Sequence, residues 1–163
     1  MDVFDFAMKM ELQGKACYEH LAATTQIPGL RNIFTGLAAD EQKHYEAFRG
    51  LKEGKDFAMT DSRMLEQAKS VFKEITGAKE KEHLADLRED LDGYRLGLKI
   101  EADSVKLYED MAKKEKNPET MQLYLRIANE EKKHFNIMEN VCDFVMKPKY
   151  FLEWREFSNL HEL

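Results

Sequence analysis

Six residues of this sequence have the types and the spacing of a metal site. Carboxylate oxygens and imidazole nitrogens are side-chain ligands of divalent iron and manganese in proteins. The sequence contains two Glu-x-x-His motifs, and a further glutamate precedes each of them. The six residues are Glu11, Glu41, His44, Glu101, Glu131 and His134.

These residues belong to an internal repeat with an offset of 90 residues, and the repeat needs no gap. Each half is therefore predicted to form one helical hairpin, with the two halves related by a pseudo-two-fold axis. The corresponding pairs are Glu11 and Glu101, Tyr18 and Tyr108, Pro28 and Pro118, Glu41 and Glu131, and His44 and His134.

The spacing within each motif places its two side chains on one helix face, because a step of three residues nearly completes a turn. A bundle built from these helices receives four carboxylates and two imidazoles at its centre. Four buried glutamates without a cation would repel one another and lose their hydration. Two divalent cations remove that cost, and this ligand set is the one found in carboxylate-bridged di-iron or di-manganese bundles.

Four neighbouring residues are predicted to support the ligands. Asp40 and Glu130 directly precede the motif glutamates, and a ligand histidine needs an acceptor for its second ring N–H. Asp40 is the preferred candidate of the two. Tyr18 and Tyr108 are predicted to hydrogen-bond ligand carboxylates or to lie beside a bound oxidant, since a buried hydroxyl needs a partner. The alternative is that both are ordinary core tyrosines.

Five helices and a tail are predicted to position these residues. Apolar residues recur at helical spacing, Pro28 and Pro118 suit first helical positions, and Gly54 and Gly77 are natural stops. Asp61 is the predicted N-cap of the third helix. The predicted helices span residues 3–25, 28–53, 62–76, 79–114 and 118–146, followed by a short amphipathic tail helix.

The predicted fold class is all-α, a four-helix bundle of two pseudo-symmetric antiparallel hairpins. The linkers inside each hairpin are short, whereas the connection between the hairpins is long and contains its own helix. One long crossover is the ferritin-like arrangement. Residues 1–147 are expected to form the bundle, with the crossover helix at 61–76, and residues 148–163 to pack on the bundle or on a partner subunit.

Composition agrees with this fold and excludes several functions. The 163 residues suit one domain, and the abundance of Ala, Leu, Met, Glu and Lys favours helix. A net charge of −6 argues against nucleic-acid binding. No apolar run could span a bilayer, and the acidic N-terminus is unlike a secretory signal, so a cytoplasmic protein is expected. Cys17 and Cys142 form no Cys-x-x-Cys pair, which excludes a rubredoxin-type centre within these residues.

The six residues, on hairpins joined by a helical crossover, resemble the rubrerythrin branch of the ferritin-like superfamily. The resemblance covers nearly the whole chain through the last long helix. It implies a non-haem di-iron centre that reduces hydrogen peroxide to water. The resemblance implies that Glu41 and Glu131 bridge the two irons and that Glu11 and Glu101 are terminal ligands. It also implies that His44 and His134 each bind one iron.

Two departures from the family pattern change what is expected. Rubrerythrins usually carry another Glu three residues after the third-helix ligand, where this chain has Ser104, with Gly14 as its symmetry mate. Movement of one iron on redox change is therefore not expected. No rubredoxin domain occurs in these residues, so a separate carrier, such as a small rubredoxin-like protein, must supply electrons. Manganese or zinc could also occupy the ligands, and a homodimer is expected.

Three other functions stay open on the sequence. The first is ferroxidase activity that feeds iron storage, although ferritin sites are usually asymmetric and have a single His. The second is a di-iron oxygenase that uses dioxygen on an organic substrate. The third is a metal-free helical interaction module, in which the glutamates and histidines lie on solvated helix surfaces.

Overall fold

The structure is a computed structural model that describes residues 2–55, 59–74 and 91–146. Within these ranges the regular secondary structure is helical, which confirms the predicted all-α class. The predicted start of the fourth helix at residue 79, the end of the crossover helix and the tail at 148–163 lie outside the described residues. The helices are α1 (Val3–Thr24), α2 (Pro28–Lys52), α3 (Met64–Glu74), α4 (Leu91–Lys114) and α5 (Pro118–Met146).

The ends of the long helices follow their predicted start and stop residues. Pro28 occupies the first turn of α2, where its missing N–H costs no hydrogen bond. Gly54 follows α2 with a φ of 74°, a left-handed conformation that glycine adopts without strain. At the start of α5, Asn117 Oδ1 accepts hydrogen bonds from the N–H groups of Glu119 (3.0 Å) and Thr120 (3.1 Å).

The crossover helix begins later than predicted, at Met64 instead of Ser62. The prediction that Asp61 caps this helix is wrong. Asp61 Oδ1 instead accepts a hydrogen bond from Arg126 Nε on α5, at 3.0 Å. A charged donor forms a stronger bond to a carboxylate than a neutral backbone N–H does. The hydroxyl of Ser62 accepts the Met64 N–H instead, at 3.2 Å.

The helices pack as two hairpins and a crossover. Helix α1 packs along α2, and α4 packs along α5, since the short linkers fold each pair back on itself. The hairpins meet through α1 and α4, and α3 contacts both α2 and α5. Within the described ranges, no helix is long and apolar enough to cross a membrane.

The crossover helix docks through one buried face. Met64, Ala68 and Phe72 are spaced four residues apart and are all buried in the core. Gly36 on α2 permits the close approach, because a Cβ at that position would collide with the Met64 sulfur. The segment just before α3 is therefore held against the bundle.

Two clusters of buried apolar side chains form the core. A layer of buried glutamate and histidine side chains, the charged layer, separates them. One cluster includes Tyr18, and the other includes Ala7 and Tyr108. On α1, Glu11 lies between Ala7 and Tyr18, so the chain passes from one cluster through the charged layer to the other. The apolar clusters on both sides hold this layer away from water.

Candidate metal centre

All six predicted ligands meet in the charged layer, and each is at most 1% exposed. Four helices supply them. One glutamate comes from α1 and one from α4, while α2 and α5 each supply a glutamate and a histidine one turn apart. The six are Glu11, Glu41, His44, Glu101, Glu131 and His134.

Their ligand atoms form two overlapping groups, and within each group the atoms lie within 4.8 Å of one another. Two glutamates belong to both groups, which is the arrangement that bridging carboxylates between two metal ions require. The other four residues belong to one group each. The His44 group consists of Glu11, Glu41, His44 and Glu131, and the His134 group consists of Glu41, Glu101, Glu131 and His134.

His44 turns one ring nitrogen towards the centre and the other away from it. Its Nδ1 lies 3.5 Å from Glu11 Oε2 and 2.5 Å from Glu131 Oε1. Its Nε2 lies 2.9 Å from Glu130 Oε1. An ionised carboxylate only accepts hydrogen bonds, so Nε2 is the donor to Glu130, and Nδ1 is the ring nitrogen that faces the ligand oxygens.

His134 repeats this arrangement from the other hairpin. Its Nε2 donates to Asp40 Oδ2 at 2.8 Å, and its Nδ1 lies 2.9 Å from Glu41 Oε1 and 3.3 Å from Glu101 Oε1. Both predicted acceptors therefore hold a histidine, Glu130 as well as the preferred Asp40. Each acceptor serves the histidine of the opposite hairpin, a crossing that the sequence did not indicate.

The tyrosines also cross between the hairpins. The Tyr18 hydroxyl donates to Glu101 Oε1 at 2.5 Å, and the Tyr108 hydroxyl donates to Glu11 Oε1 at 2.6 Å. Burial raises the pKa of both tyrosines well above its usual value, and the nearby carboxylates raise it further. Both hydroxyls therefore stay protonated as donors. The prediction that they hydrogen-bond the proposed ligand carboxylates is confirmed.

Several atoms that face the centre have no hydrogen-bond partner among the residues that the structure describes. His44 Nδ1 and Glu131 Oε1, for example, lie 2.5 Å apart without forming a hydrogen bond. An unpaired buried polar atom costs about 1–3 kcal/mol, and a charged one costs more. Divalent cations would satisfy all of these atoms, so the residues fit a pair of metal ions. The unpaired atoms are Glu11 Oε2, Glu41 Oε2, His44 Nδ1, Glu101 Oε2 and both carboxylate oxygens of Glu131.

The electrostatics of the cluster favour the same conclusion. Burial raises the pKa of Glu41 and Glu131 well above its usual value, and the neighbouring carboxylates raise it further. Two like charges 4 Å apart repel by about 4 kcal/mol at an effective dielectric constant of about 20. Burial also raises the pKa of Glu101, but the charge of His134 and the hydrogen bonds from Glu131, His134 and Tyr18 together outweigh burial and lower the pKa. Four ionised glutamates at this centre would therefore repel one another, and cations can balance their charge.

The two departures at Ser104 and Gly14 leave no extra carboxylate at the site. Ser104 is buried, and its hydroxyl donates to the Ile100 carbonyl at 2.8 Å within α4. At Gly14, an added Cβ would lie 2.9 Å from Glu41 Oε2. The shared carboxylate thus packs directly against the backbone of α1, which only glycine allows without a shift.

Sequence reasoning missed Ser62. Its hydroxyl donates to Asp40 Oδ2, and its backbone N–H donates to Glu130 Oε2 at 3.3 Å. The repeat gives no signal for this residue, because Ser62 lies in the crossover between the two repeated hairpins. Among the other histidines, His20 is exposed as predicted, whereas His83 and His161 lie outside the described residues.

Fold and site together define a ferritin-like helical bundle with a buried carboxylate–histidine cluster of the di-metal type. The family model for rubrerythrin matches residues 2–142. The chain therefore belongs to the rubrerythrin family, as the resemblance implied, and its buried cluster fits a di-iron protein. A search of curated proteins and a search of solved structures each found no match.

Proposed function

We propose that this protein is a di-iron oxidoreductase that reduces hydrogen peroxide to water with electrons from a separate carrier. The symmetry of the ligand set is the main support. Each group has its own histidine and its own terminal glutamate, and the two groups share two carboxylates. Two similar metal positions side by side suit the two-electron cleavage of an O–O bond.

The reaction consumes two electrons and two protons and releases two water molecules for each peroxide. When bound, a ferrous pair supplies one electron per ion, and the redox chemistry belongs to the metal. The protein contributes orientation and protons. Tyr18 and Tyr108 are the buried O–H donors that contact Glu101 and Glu11, so they fix these carboxylates and hold protons near the centre.

The apolar clusters on both sides of the site strengthen these interactions. They exclude water from the charged layer, and charges interact more strongly where the dielectric constant is low. The residues that hold the histidines are buried as well, since Asp40 is 5% exposed and Glu130 is 4% exposed. The ligand geometry is thus fixed before any substrate arrives.

Other parts of the proposal rest on the sequence and the family resemblance. They are iron as the native metal rather than manganese or zinc, a rubredoxin-like electron donor, a homodimer, and a cytoplasmic location. The homodimer is tested by light scattering. A complex of tens of subunits would instead indicate an iron-storage cage of ferritin type.

Anaerobic loading with ferrous iron tests the proposed activity. The loaded protein is mixed rapidly with hydrogen peroxide and, separately, with dioxygen, and the oxidation of iron is followed by absorbance. We expect about two irons per chain and a much faster reaction with peroxide. Glu131→Gln should lose the bound iron, whereas Glu139→Gln on the exposed side of the same helix should behave like the unmodified protein.

The other outcomes distinguish the alternatives. A reaction with dioxygen that is as fast as the reaction with peroxide would favour a ferroxidase or an oxygenase. Iron that is oxidised and then accumulates beyond two ions per chain would favour iron storage. If the unmodified protein binds no iron, the metal-free helical module is the correct interpretation.

A further inference from the structure

Ser62 joins the two halves of the metal site from outside. Its hydroxyl donates to Asp40, which accepts the ring N–H of His134. Its backbone N–H donates to Glu130 at 3.3 Å, and Glu130 holds the ring of His44. A single residue of the crossover therefore contacts both carboxylates that orient the histidines.

We propose that Ser62 is a positioning residue for both metal positions, and that it couples docking of the crossover to occupancy of the site. This inference rests on the proposed metal site and deepens it. An acceptor that holds a ligand histidine typically changes metal affinity 10–100-fold when it is removed. Ser62 lies one hydrogen bond further out, where it fixes the acceptors themselves.

The crossover segment is anchored firmly enough to act in this way. Asp61 is bonded to Arg126 on α5, and the Lys43 ammonium on α2 donates to the Thr60 carbonyl at 3.4 Å. The Ser62 hydroxyl also accepts the Met64 N–H at 3.2 Å, at the start of the buried face of α3. Contacts with both hairpins thus determine where the Ser62 hydroxyl and N–H point.

The two contacts of Ser62 are chemically different, and this difference provides the test. Removal of the side chain breaks the bond to Asp40 but leaves the backbone N–H that donates to Glu130. Ser62→Ala should therefore weaken chiefly the position at His134. Ser62→Thr retains a hydroxyl and should keep the metal affinity of the position at His134. Thr60→Ala is a matched control, because Thr60 is exposed and its carbonyl still accepts the Lys43 ammonium.

The experiment uses cobalt(II) as a spectroscopic probe and a competing chelator to measure both binding steps. The unmodified protein should bind two ions per chain. Ser62→Ala should weaken one binding step by about 3–10-fold, less than the loss expected for a direct histidine partner, and should alter the cobalt absorption of one ion. Ser62→Thr and Thr60→Ala should match the unmodified protein.

Hydrogen exchange supplies a second readout that needs no activity. If docking and occupancy are coupled, each must stabilise the other. Zinc loading should slow exchange of the amides in residues 59–64 of the unmodified protein, and this protection should shrink in Ser62→Ala. If Ser62→Ala does not fold, the response of the unmodified protein to zinc decides the question.

Each remaining outcome separates this inference from the proposed function. If Ser62→Ala binds both ions with full affinity and shows full zinc protection, the role of Ser62 is refuted and the metal site stands. If Ser62→Ala and Thr60→Ala lose affinity equally, general loosening of the loop replaces the specific role. If the unmodified protein binds no metal, the proposed function fails as well.

Discussion

The His44 group and the His134 group have the same kinds of ligand, but their histidines are held differently. Asp40, which holds His134, also accepts the Ser62 hydroxyl and lies 3.4 Å from the Lys43 ammonium. Burial raises the pKa of Asp40, but the hydrogen bond and the charge of His134, together with the Ser62 hydrogen bond and the charge of His44, outweigh burial and lower it. Among the described residues, Glu130 has one further hydrogen bond, from the more distant Ser62 N–H at 3.3 Å.

This difference shows which parts of the site follow the internal repeat and which do not. The repeat sets the ligands, so the ligands are symmetric. The supporting contacts come partly from a single crossover, which cannot be symmetric about the pseudo-two-fold axis. A carboxylate that further donors hold in place orients its histidine more firmly than one held by a single long contact. We therefore expect the His134 group to bind its metal ion more tightly.

The largest difference in metal affinity should appear between a variant of a ligand that both groups share and a variant of a ligand that belongs to one group. Glu131 belongs to both groups, so Glu131→Gln should lower the affinity for both ions by more than about 100-fold. This is beyond the loss expected when a residue that only orients a ligand histidine is replaced. Glu11 belongs to the His44 group alone, so Glu11→Gln should release one ion and keep the other. Metal content after gel filtration and chelator competition measure both results.

The same pair of variants tests the metal-free alternative. In a bundle that binds no metal, Glu131→Gln relieves a buried charge and leaves or raises the unfolding temperature. In a metal protein it abolishes the stabilisation that added metal gives. If Glu131→Gln keeps one ion at full affinity, Glu131 is not a shared ligand.

The pH dependence should be the next largest effect. Because the pKa values of Glu41 and Glu131 are raised well above the usual value, these carboxyls keep their protons to a higher pH in the metal-free protein. Metal ions must displace those protons, so affinity should rise with pH, about tenfold per pH unit for each proton displaced. Glu101, with its lowered pKa, should release none.

Two measurements check this prediction. Chelator competition with zinc at several pH values gives the affinity, and calorimetry in two buffers with different ionisation heats counts the protons released. An affinity that does not change with pH, together with no released protons, would mean that the shared carboxylates are already ionised without metal. The comparison between shared and terminal glutamates would then fail.

The two outer carboxylates should differ by a smaller factor. Asp40→Asn should lower the affinity for the ion at His134 by about 10–100-fold. Glu130→Gln should lower the affinity for the ion at His44 by a factor in the same range. The loss should be larger for Asp40→Asn, because Ser62 and Lys43 hold Asp40 in place and it therefore orients its histidine more firmly. Asp103→Asn is a matched control, since Asp103 is exposed and pairs only with Lys99 in the described structure. Equal losses on both ions would show that the two halves are supported as one unit.

The ligands could be predicted because their positions depend on local periodicity alone. A step of three residues fixes Glu41 beside His44 on α2 whatever surrounds that helix. The offset of 90 residues then identifies Glu131 and His134 by the same rule. Burial of the six residues followed from the apolar positions on either side of them in each helix.

The hydrogen-bond partners could not be predicted because they depend on how the helices pack. Tyr18 donates to Glu101 across the contact between α1 and α4, a contact that joins residues far apart in the sequence. Asp61 has the side chain of a good N-cap, but Arg126 on α5 binds it instead. The role of Ser62 depends on both effects, since it requires the docked crossover and the crossed pairing of Asp40 and Glu130.

The smallest expected effect concerns positions 14 and 104, which correspond in the repeat. Alanine is favoured over glycine in a helix by about 1 kcal/mol. A Cβ at position 14 would, however, lie 2.9 Å from Glu41 Oε2 and force that carboxylate to shift, at an overpacking cost of about 1–3 kcal/mol. Gly14→Ala should therefore change the metal-free stability little and weaken metal binding a few-fold, because the displaced group is a shared ligand.

Ser104→Ala provides the comparison. It removes only the hydroxyl bond to Ile100 within α4, and that carbonyl lies in the interior of the helix. Its effect on metal-free stability should be no more than about 0.5–1.5 kcal/mol, the net contribution of one hydrogen bond, and its metal affinity should be unchanged. Thermal unfolding with and without zinc measures both variants. If Gly14→Ala keeps the full zinc-induced rise in unfolding temperature, Glu41 can bind metal from a shifted position, and the close packing at Gly14 is a feature of the fold rather than of the site.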